Sequence, residues 1–351
     1  MKAILGCNSV VLGALSMLMA SASTAVSNDT ITVATYGGEW GAAMQSCIID
    51  PFSAATKITV VPEPGVSSVT LSKLRQQRGS PAIDAIWLDG GVSELASAEG
   101  VLADIEPSRV PSVESIIPQA VYRTQDGAIF AVGTGYYSLG IAYKSDEVGT
   151  PPKSWNDLWQ AEYAGVVAVP SPANGMGVPF IAHIATINGG SADDVTPAVK
   201  KLQELDVAAY FDTSGAASNL FQRGEIVIGA QYSNSAFAMR DQGLPVEFAI
   251  PEEGAVGGDI RLHLVKDSPK LPLAEKFLDF ALQKEQAGCM AEKIYVGPST
   301  VGVTLSEKAK QRMPWGESGS IDNLSLPNWV EINQNRSAIT ERFNKEVVSG
   351  K

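Results

Sequence analysis

Patterns of short apolar strands and of helices alternate along this chain, beginning with ITVATYGGEWGAAMQSCIIDPF near its amino terminus. In chain order they predict a strand at 31–36, a helix at 40–55, a strand at 57–61, a helix at 69–77 and a strand at 82–89. Glycine pairs follow the first and third strands, in TYGGEW and LDGG. Strands separated by helices form parallel βαβ units, so the sequence predicts an α/β fold.

Two long extended runs interrupt this alternation. IFAVGTGYYSLGIAYK, residues 129–144, and GGDIRLHLVK, residues 257–266, have no helical spacing. We interpret them as strands that cross from one lobe to another and back. The predicted organisation is therefore a first lobe over 26–135, a second lobe over 136–257, and a return to the first lobe with C-terminal helices over 258–351.

The amino terminus has the three parts of an export signal. Lys2 precedes an apolar run at 10–20, and the small residues Ser23 and Ala25 follow it. Cleavage is expected after Ala25, with Ala22 as the alternative, which makes residues 1–25 a signal peptide. The run is shorter than the roughly 20 residues that a membrane-spanning helix needs. Cleavage predicts a periplasmic protein.

A lipid anchor on Cys7 is the alternative interpretation of this region. Leu5 and Gly6 supply only part of the motif for such an anchor, and Cys7 precedes the apolar run instead of following it.

The charge of the chain argues against nucleic-acid binding. Its net charge is −12, and Lys and Arg form no basic stripe that would neutralise phosphates. Removal of the signal leaves Cys47 and Cys289. In an oxidising compartment they form either a disulfide or two buried thiols, and neither has the spacing of a metal site.

No motif indicates an enzyme or a cofactor. The sequence has no G-x-S-x-G, no H-E-x-x-H and no P-loop, and His183 and His263 are its two histidines. We therefore predict no catalytic residue, no cofactor and no bound metal. A secreted hydrolase remains an alternative, because a pair of carboxylates can be close in the fold while distant in the chain.

Six segments in a fixed order resemble a known family. They are TYGGEW, AIDAIWLDGG, GTGYYSLGIAYKSDEV followed by PPKSWNDLW, VPSPANG, QRGEIVIGAQYSNSAF and the closing NWVEINQNRSAITERFNKEV. Their order is similar to that of the type II periplasmic solute-binding proteins of ABC importers, in the spermidine/putrescine-like group. The resemblance implies two α/β lobes joined by crossover segments, with a ligand held between them. It also implies a monomer whose closed form is recognised by an ABC permease in the inner membrane.

Candidate ligand contacts in the first lobe follow the predicted strands. Tyr36, Glu39 and Trp40 occupy the loop after the first strand, where aromatic faces can hold a methylene chain or an ammonium. Trp40 could instead anchor the core. Asp89 ends the strand at 82–89 and either accepts a hydrogen bond from a ligand amine or caps the next helix. Tyr136 is a candidate on the crossover strand, although alternation lets only one of it and its neighbour face the cleft.

In the second lobe, the resemblance places Ser171, Asn174 and Tyr232 in ligand-facing loops. A polyamine site of this family would be expected to have an acid near Ser171, and the loop 171–174 has none. This departure favours a smaller or zwitterionic ligand over a polyamine.

Asp259 and Arg261 belong to a strand in which they and His263 share one face. The carboxylate and the guanidinium could bind the ammonium and the carboxylate of a zwitterion of the γ-aminobutyrate kind. In the alternative, the two side chains pair with each other or face water.

The sequence thus predicts a receptor for a small organic amine, either a polyamine or a zwitterionic amino compound. A ferric-ion-binding protein of the same fold is the alternative, suggested by the adjacent Tyr136 and Tyr137.

Overall fold

The computed structural model describes Met1, residues 29–317 and residues 319–349. Apart from Met1, the predicted signal peptide and its cleavage site lie outside the described residues. Among the helices of the described part, none has the length and hydrophobicity needed to cross a bilayer.

The strands of the described residues are β1 (Thr30–Tyr36), β2 (Thr59–Gly65), β3 (Ala85–Asp89), β4 (Leu102–Ala103), β5 (Val121–Arg123), β6 (Ile129–Lys144), β7 (Val167–Pro170), β8 (Val207–Phe211), β9 (Ile228–Tyr232), β10 (Val246–Ala249), β11 (Ala255–Val265) and β12 (Leu324–Ser325).

The α-helices are α1 (Gly38–Met44), α2 (Asp50–Thr56), α3 (Ser67–Gln76), α4 (Gly90–Ala98), α5 (Gly177–Ile187), α6 (Thr196–Glu204), α7 (Ser214–Arg223), α8 (Ser233–Asp241), α9 (Leu271–Ala281), α10 (Lys284–Ile294), α11 (Glu307–Lys310) and α12 (Trp329–Arg342). A π-helical segment, Gln45–Ile49, joins α1 to α2, and another, Phe343–Val348, extends α12. Short 3₁₀ turns are Pro111–Ser115, Pro118–Ala120, Trp155–Trp159, Ala161–Tyr163 and Ile321–Asn323.

The strands form one mixed sheet in the order β2-β1-β3-β11-β6-β9-β7-β8. At one end β1 pairs in parallel with β2 and β3, and at the other β7 pairs in parallel with β8 and β9. Between these groups, β6 and β11 run antiparallel to each other and to their outer neighbours. We name the part built on β1–β3 the first lobe and the part built on β7–β9 the second lobe.

This arrangement confirms the predicted two-lobed α/β fold with crossover strands. The two extended runs of the sequence are β6 and β11, within a few residues of their expected ends. All residues of β11 are buried, because the strand has paired neighbours on both edges and helices over its faces. The lobe limits at 135 and 257 stay predictions.

Each lobe has an aromatic core. In the first lobe, the rings of Phe52 and Phe277 meet edge to face with centroids 5.2 Å apart, and Trp87 approaches Phe277 at 5.7 Å. In the second lobe, Trp155 and Phe180 are 5.3 Å apart. Edge-to-face contacts are the favoured geometry for aromatic pairs and add to the stabilisation from burial.

The helix α12 packs differently from our expectation that the C-terminal helices cover the first lobe. It contacts both α4 of the first lobe and α5 of the second. The amide of Asn333 donates to the carbonyl of Gly91 at 2.7 Å, while Arg342 donates to Thr196 of the second lobe at 3.1 Å. Glycine at position 90 makes this docking possible, since a Cβ there would lie 2.2 Å from Nε1 of Trp329.

Cys47 and Cys289 form a disulfide, which decides between the two alternatives left open by the sequence. Their Cα atoms are 5.6 Å apart across 242 residues of chain. The bond joins the π-helical segment Gln45–Ile49 to α10 within the first lobe.

Replacing Cys289 with Ser is expected to lower the free energy of unfolding by about 2–4 kcal/mol, because the unfolded chain loses a long-range constraint. Urea denaturation of the oxidised protein and of the variant measures this difference. Adding reductant should destabilise the wild type and leave the variant unchanged. Equal midpoints for the oxidised wild type and the variant would contradict the expectation.

Candidate functional site

A cleft of about 610 Å³ lies between the lobes. Tyr36 ends β1, Asp89 ends β3 and Tyr232 ends β9, and all three line the cleft. Ligands of open α/β sheets bind beyond the carboxyl ends of the strands, which is where these residues lie. The cleft is lined further by Trp40, Ser67, Tyr137, Asn174, Asp212, Asn234, Trp329, Asn333 and Arg336.

Asp89 is the acidic group at the base of the first-lobe side. Its Oδ2 accepts a hydrogen bond from Ser67 Oγ at 2.7 Å, and its Oδ1 accepts one from the Tyr137 hydroxyl at 3.3 Å. Its side chain makes no capping bond to α4, so the capping alternative is not what the structure shows. Burial raises the pKa of Asp89 above the ordinary value for a carboxyl group. A positive group entering the cleft would stabilise the ionised form.

Four aromatic rings surround the approach to this carboxylate. Trp40 meets the rings of Tyr36 and Tyr137 edge-on, with centroids 6.1 and 6.2 Å away. Tyr137 and Tyr232 are 5.6 Å apart. Burial raises the pKa of Tyr36 and of Tyr137, so both hydroxyls stay neutral. Ring faces and a carboxylate together suit an organic ammonium, which gains cation–π attraction and a charged hydrogen bond.

The crossover tyrosine that faces the cleft is Tyr137, and the predicted Tyr136 faces the other side of the sheet. Tyr136 is 1% exposed, and its pKa is raised by burial. Its hydroxyl has no hydrogen-bond partner in the part of the chain that the structure describes. The two neighbours diverge because successive side chains of a strand point to opposite faces.

On the second-lobe side, Asn174 lines the cleft and its Oδ1 accepts a hydrogen bond from the Tyr232 hydroxyl at 2.7 Å. Ser171 is not among the lining residues, and its hydroxyl donates to Asp212 Oδ1 at 2.5 Å. Asp212 follows β8, so an acid from a neighbouring strand end stands beside the loop that lacks one. The loop 171–174 itself has no acid, as the sequence shows, but the fold places the carboxylate of Asp212 beside it.

Glu39 contributes to a different cavity. It lines an open pocket of about 470 Å³ that α1 shares with α8 and α10, together with Ser46, Asp241, Lys293 and Tyr295. The turn from β1 into α1 therefore places Tyr36 and Trp40 at the main cleft and Glu39 at this second pocket.

Asp259 and Arg261 are buried, at 3% and 2% exposed, and they are not among the residues that line the cleft. Arg261 Nε donates to Asp259 Oδ2 at 2.5 Å, and its Nη1 donates to Glu94 Oε1 at 2.7 Å. The Tyr122 hydroxyl also donates to Asp259, and the guanidinium carbon lies 3.4 Å from the centre of the Tyr122 ring. The alternative that the two side chains pair with each other is confirmed, and neither is placed to contact a ligand in the cleft.

His263 shares the face of β11 with these two residues, as strand alternation predicted. Its Nε2 is 2.8 Å from Ser93 Oγ, whose hydroxyl also accepts from Arg261 at 3.3 Å. Burial lowers the pKa of His263 to about 3, so the ring is neutral. Its role is structural.

Three cleft residues that the sequence reasoning missed lie on α12. Trp329, Asn333 and Arg336 are spaced by four and three residues, so they share one face of the helix. This spacing was visible in NWVEINQNR. Arg336 is half-buried, and its Nε donates to Asn333 Oδ1 at a long 3.4 Å. Burial lowers the pKa of Arg336.

The described residues bring no group of three or more His, Cys, Asp and Glu side chains close enough to hold a metal ion. The divergence of Tyr136 and Tyr137 also separates the pair on which the ferric alternative depended.

Comparison with known proteins identifies solute-binding proteins, in agreement with the cleft between the two lobes. A family model described as bacterial extracellular solute-binding protein matches residues 48–314. The spermidine/putrescine-binding periplasmic protein of Salmonella typhimurium is 25% identical over 351 residues and is covered over 97% of both chains. The gamma-aminobutyric acid-binding protein of Pseudomonas aeruginosa is 24% identical over 309 residues, or 84% of both chains.

Among solved structures, an ABC transporter substrate-binding protein from Bradyrhizobium japonicum matches with a TM-score of 0.77 at 20% identity. The match covers 91% of this chain and 99% of that one. This likeness concerns the fold.

Replacing Asp259 with Ala is expected to destabilise the protein by about 3–5 kcal/mol, because it leaves the buried Arg261 without its nearest counter-charge. Chemical denaturation measures the loss. Lys73→Ala is the control: the side chains of Lys73 and of its partner Glu63 are 43% and 36% exposed, so solvent screens the pair and the cost should stay below about 1 kcal/mol. A stable Asp259→Ala protein that only loses ligand affinity would contradict the structural role.

Proposed function

The chain belongs to the bacterial extracellular solute-binding proteins, and we propose from this premise that it captures a small organic amine for import by an ABC permease. The family implies a small-molecule ligand and a membrane permease as partner. The amine, the periplasmic location, the cleaved signal peptide and the monomeric state are parts of the proposal.

The observation that carries the proposal is the position of Asp89. Its carboxylate is held by Ser67 and Tyr137 at the end of a strand that opens into the cleft between the lobes. In the free protein, burial disfavours its negative charge, as the raised pKa shows. An ammonium bound among the rings of Tyr36, Trp40, Tyr137 and Tyr232 would neutralise the charge of Asp89 and so offset the cost of burying it. The ring faces would add cation–π attraction.

Two classes of amine can place an ammonium at Asp89. A polyamine and a zwitterionic amino compound such as γ-aminobutyrate each carry an ammonium on a methylene chain, and relatives named for binding each class are similar to this chain. Asp212 supplies a second carboxylate on the opposite lobe. Closing the lobes over the ligand would bring both sides of the cleft together and create the surface that a permease recognises.

Binding is tested first with a thermal-shift panel of putrescine, spermidine, γ-aminobutyrate, lysine and sugars. A ligand at 100 times its dissociation constant should stabilise the folded state by about 2.7 kcal/mol. For the amine that binds, Asp89→Asn should weaken affinity by about 2 kcal/mol, or roughly thirtyfold, because a charged hydrogen bond becomes neutral. Calorimetric titration measures the change.

The control for this substitution is Asp126→Asn, since Asp126 lies on an exposed turn and is not among the residues that line the cleft. It should leave affinity unchanged. The proposal is wrong if sugars stabilise the protein and none of the amines does. It is also wrong if Asp89→Asn binds the amine as tightly as the wild type.

The affinity is also expected to depend on pH. The amine stays protonated up to a pH of about 10, so Asp89 is the group that titrates. Because its pKa in the free protein is raised and a bound ammonium lowers it, the free protein holds more protons than the complex on this group. Affinity should therefore fall as pH decreases through the raised pKa. Titration calorimetry across acidic pH checks this, and Asp89→Asn should flatten the dependence; a wild-type affinity that rises in acid would contradict it.

A further inference from the structure

Arg336 enters the cleft from α12 without a carboxylate partner. Within 29–317 and 319–349, no acidic oxygen lies within ion-pair distance of its guanidinium, and Asn333 is its one side-chain hydrogen-bond acceptor. Arg342 on the same helix shows the usual alternative, since it pairs with Glu346 at 2.7 Å. Arg336 is therefore a cation with free donors that line the cavity.

The surroundings of Arg336 do not balance its charge. Its Nη2 lies 3.3 Å from the position that a Cβ on Gly91 would occupy, so the guanidinium stands over the first turn of α4. The amino end of a helix carries partial positive charge and offers a cation no compensation. A half-buried guanidinium pays a desolvation cost that an anion relieves.

An acidic group of the ligand meets this requirement. Guanidinium donors are arranged in a planar fork that matches a carboxylate through two parallel hydrogen bonds. Asp89 lies two residues before Gly91 and attracts an ammonium. A carboxylate that favours a positive ligand group and a guanidinium that favours a negative one therefore line the same cleft. A pure polycation would satisfy Asp89 and place positive charge against Arg336.

We infer that the ligand is a dipolar amino compound whose ammonium binds at Asp89 and whose carboxylate, or comparable acidic group, binds at Arg336. This inference rests on the proposed function and selects one of its two ligand classes. Asp212 on the other lobe leaves room for a second ammonium, so basic amino acids belong to the selected class, whereas putrescine and spermidine do not.

The experiment compares amines that differ by an acidic group. γ-Aminobutyrate and putrescine share a four-carbon chain and one ammonium, and lysine differs from cadaverine by its carboxylate. Calorimetry on the full mature chain should show binding of at least one carboxylate-bearing member and weaker binding, by roughly tenfold or more, of its partner without a carboxylate.

The variant Arg336→Gln should reduce affinity for the carboxylate-bearing amine by roughly tenfold or more, and should leave any residual diamine binding unchanged or tighter. Arg336→Lys, which keeps the charge and loses the fork, should recover part of the affinity. Arg78→Gln is the control and should bind like the wild type, because Arg78 is an exposed guanidinium that pairs with Glu99 and does not line the cleft. Melting temperatures identify any variant that fails to fold; should Arg336→Gln do so, Arg336→Lys and the wild-type preference within each pair decide the matter.

The outcomes separate this inference from the proposed function. If diamines bind as tightly as the carboxylate-bearing amines, or if Arg336→Gln binds the latter at full strength, the dipolar ligand is wrong while the amine receptor stands. If no amine of either kind binds, or if Asp89→Asn binds the amine at full strength, the proposed function itself fails.

Discussion

The antiparallel pairing of β6 with β11 is the interaction on which the rest of this structure depends. These strands join the parallel strands β1–β3 of the first lobe to the parallel strands β7–β9 of the second. Their pairing therefore fixes how the two sides of the cleft face each other. Gly258 lies opposite Tyr137 in the register, and a Cβ at Gly258 would stand 2.3 Å from the Tyr137 ring. The absence of a side chain there lets the tyrosine lie across the strand pair and reach Asp89, so a backbone pairing becomes a feature of the site.

Much of this architecture could be predicted from the sequence because it depends on local periodicity. The alternation of strands and helices, the glycine pairs and the two long extended runs each follow from residues near one another in the chain. The positions of Tyr36 and Asp89 at strand ends follow in the same way, since the end of a strand is marked by the turn after it. Trp40 was assigned to the same loop and does line the cleft.

The errors have a common physical origin. The alternation of side chains along β11 predicts that Asp259, Arg261 and His263 share a face. Whether a ligand can reach that face depends on which other elements pack against it. Ser93 and Glu94 of α4 and the ring of Tyr122 cover it, and these come from distant parts of the chain. The choice between Tyr136 and Tyr137, the acid that Asp212 brings beside Ser171, and the arrival of Arg336 from α12 likewise depend on tertiary packing, which no local pattern encodes.

The helix α12 has a mechanical consequence. Trp329 and Asn333 fasten its beginning to the first lobe at Gly90 and Gly91, whereas Arg342 fastens its end to Thr196 of the second. A rotation that separates the lobes and widens the cleft would have to break the contacts at one end of α12. Because one helix is attached to both lobes, any hinge motion that changes the width of the cleft must also move α12 relative to at least one of them.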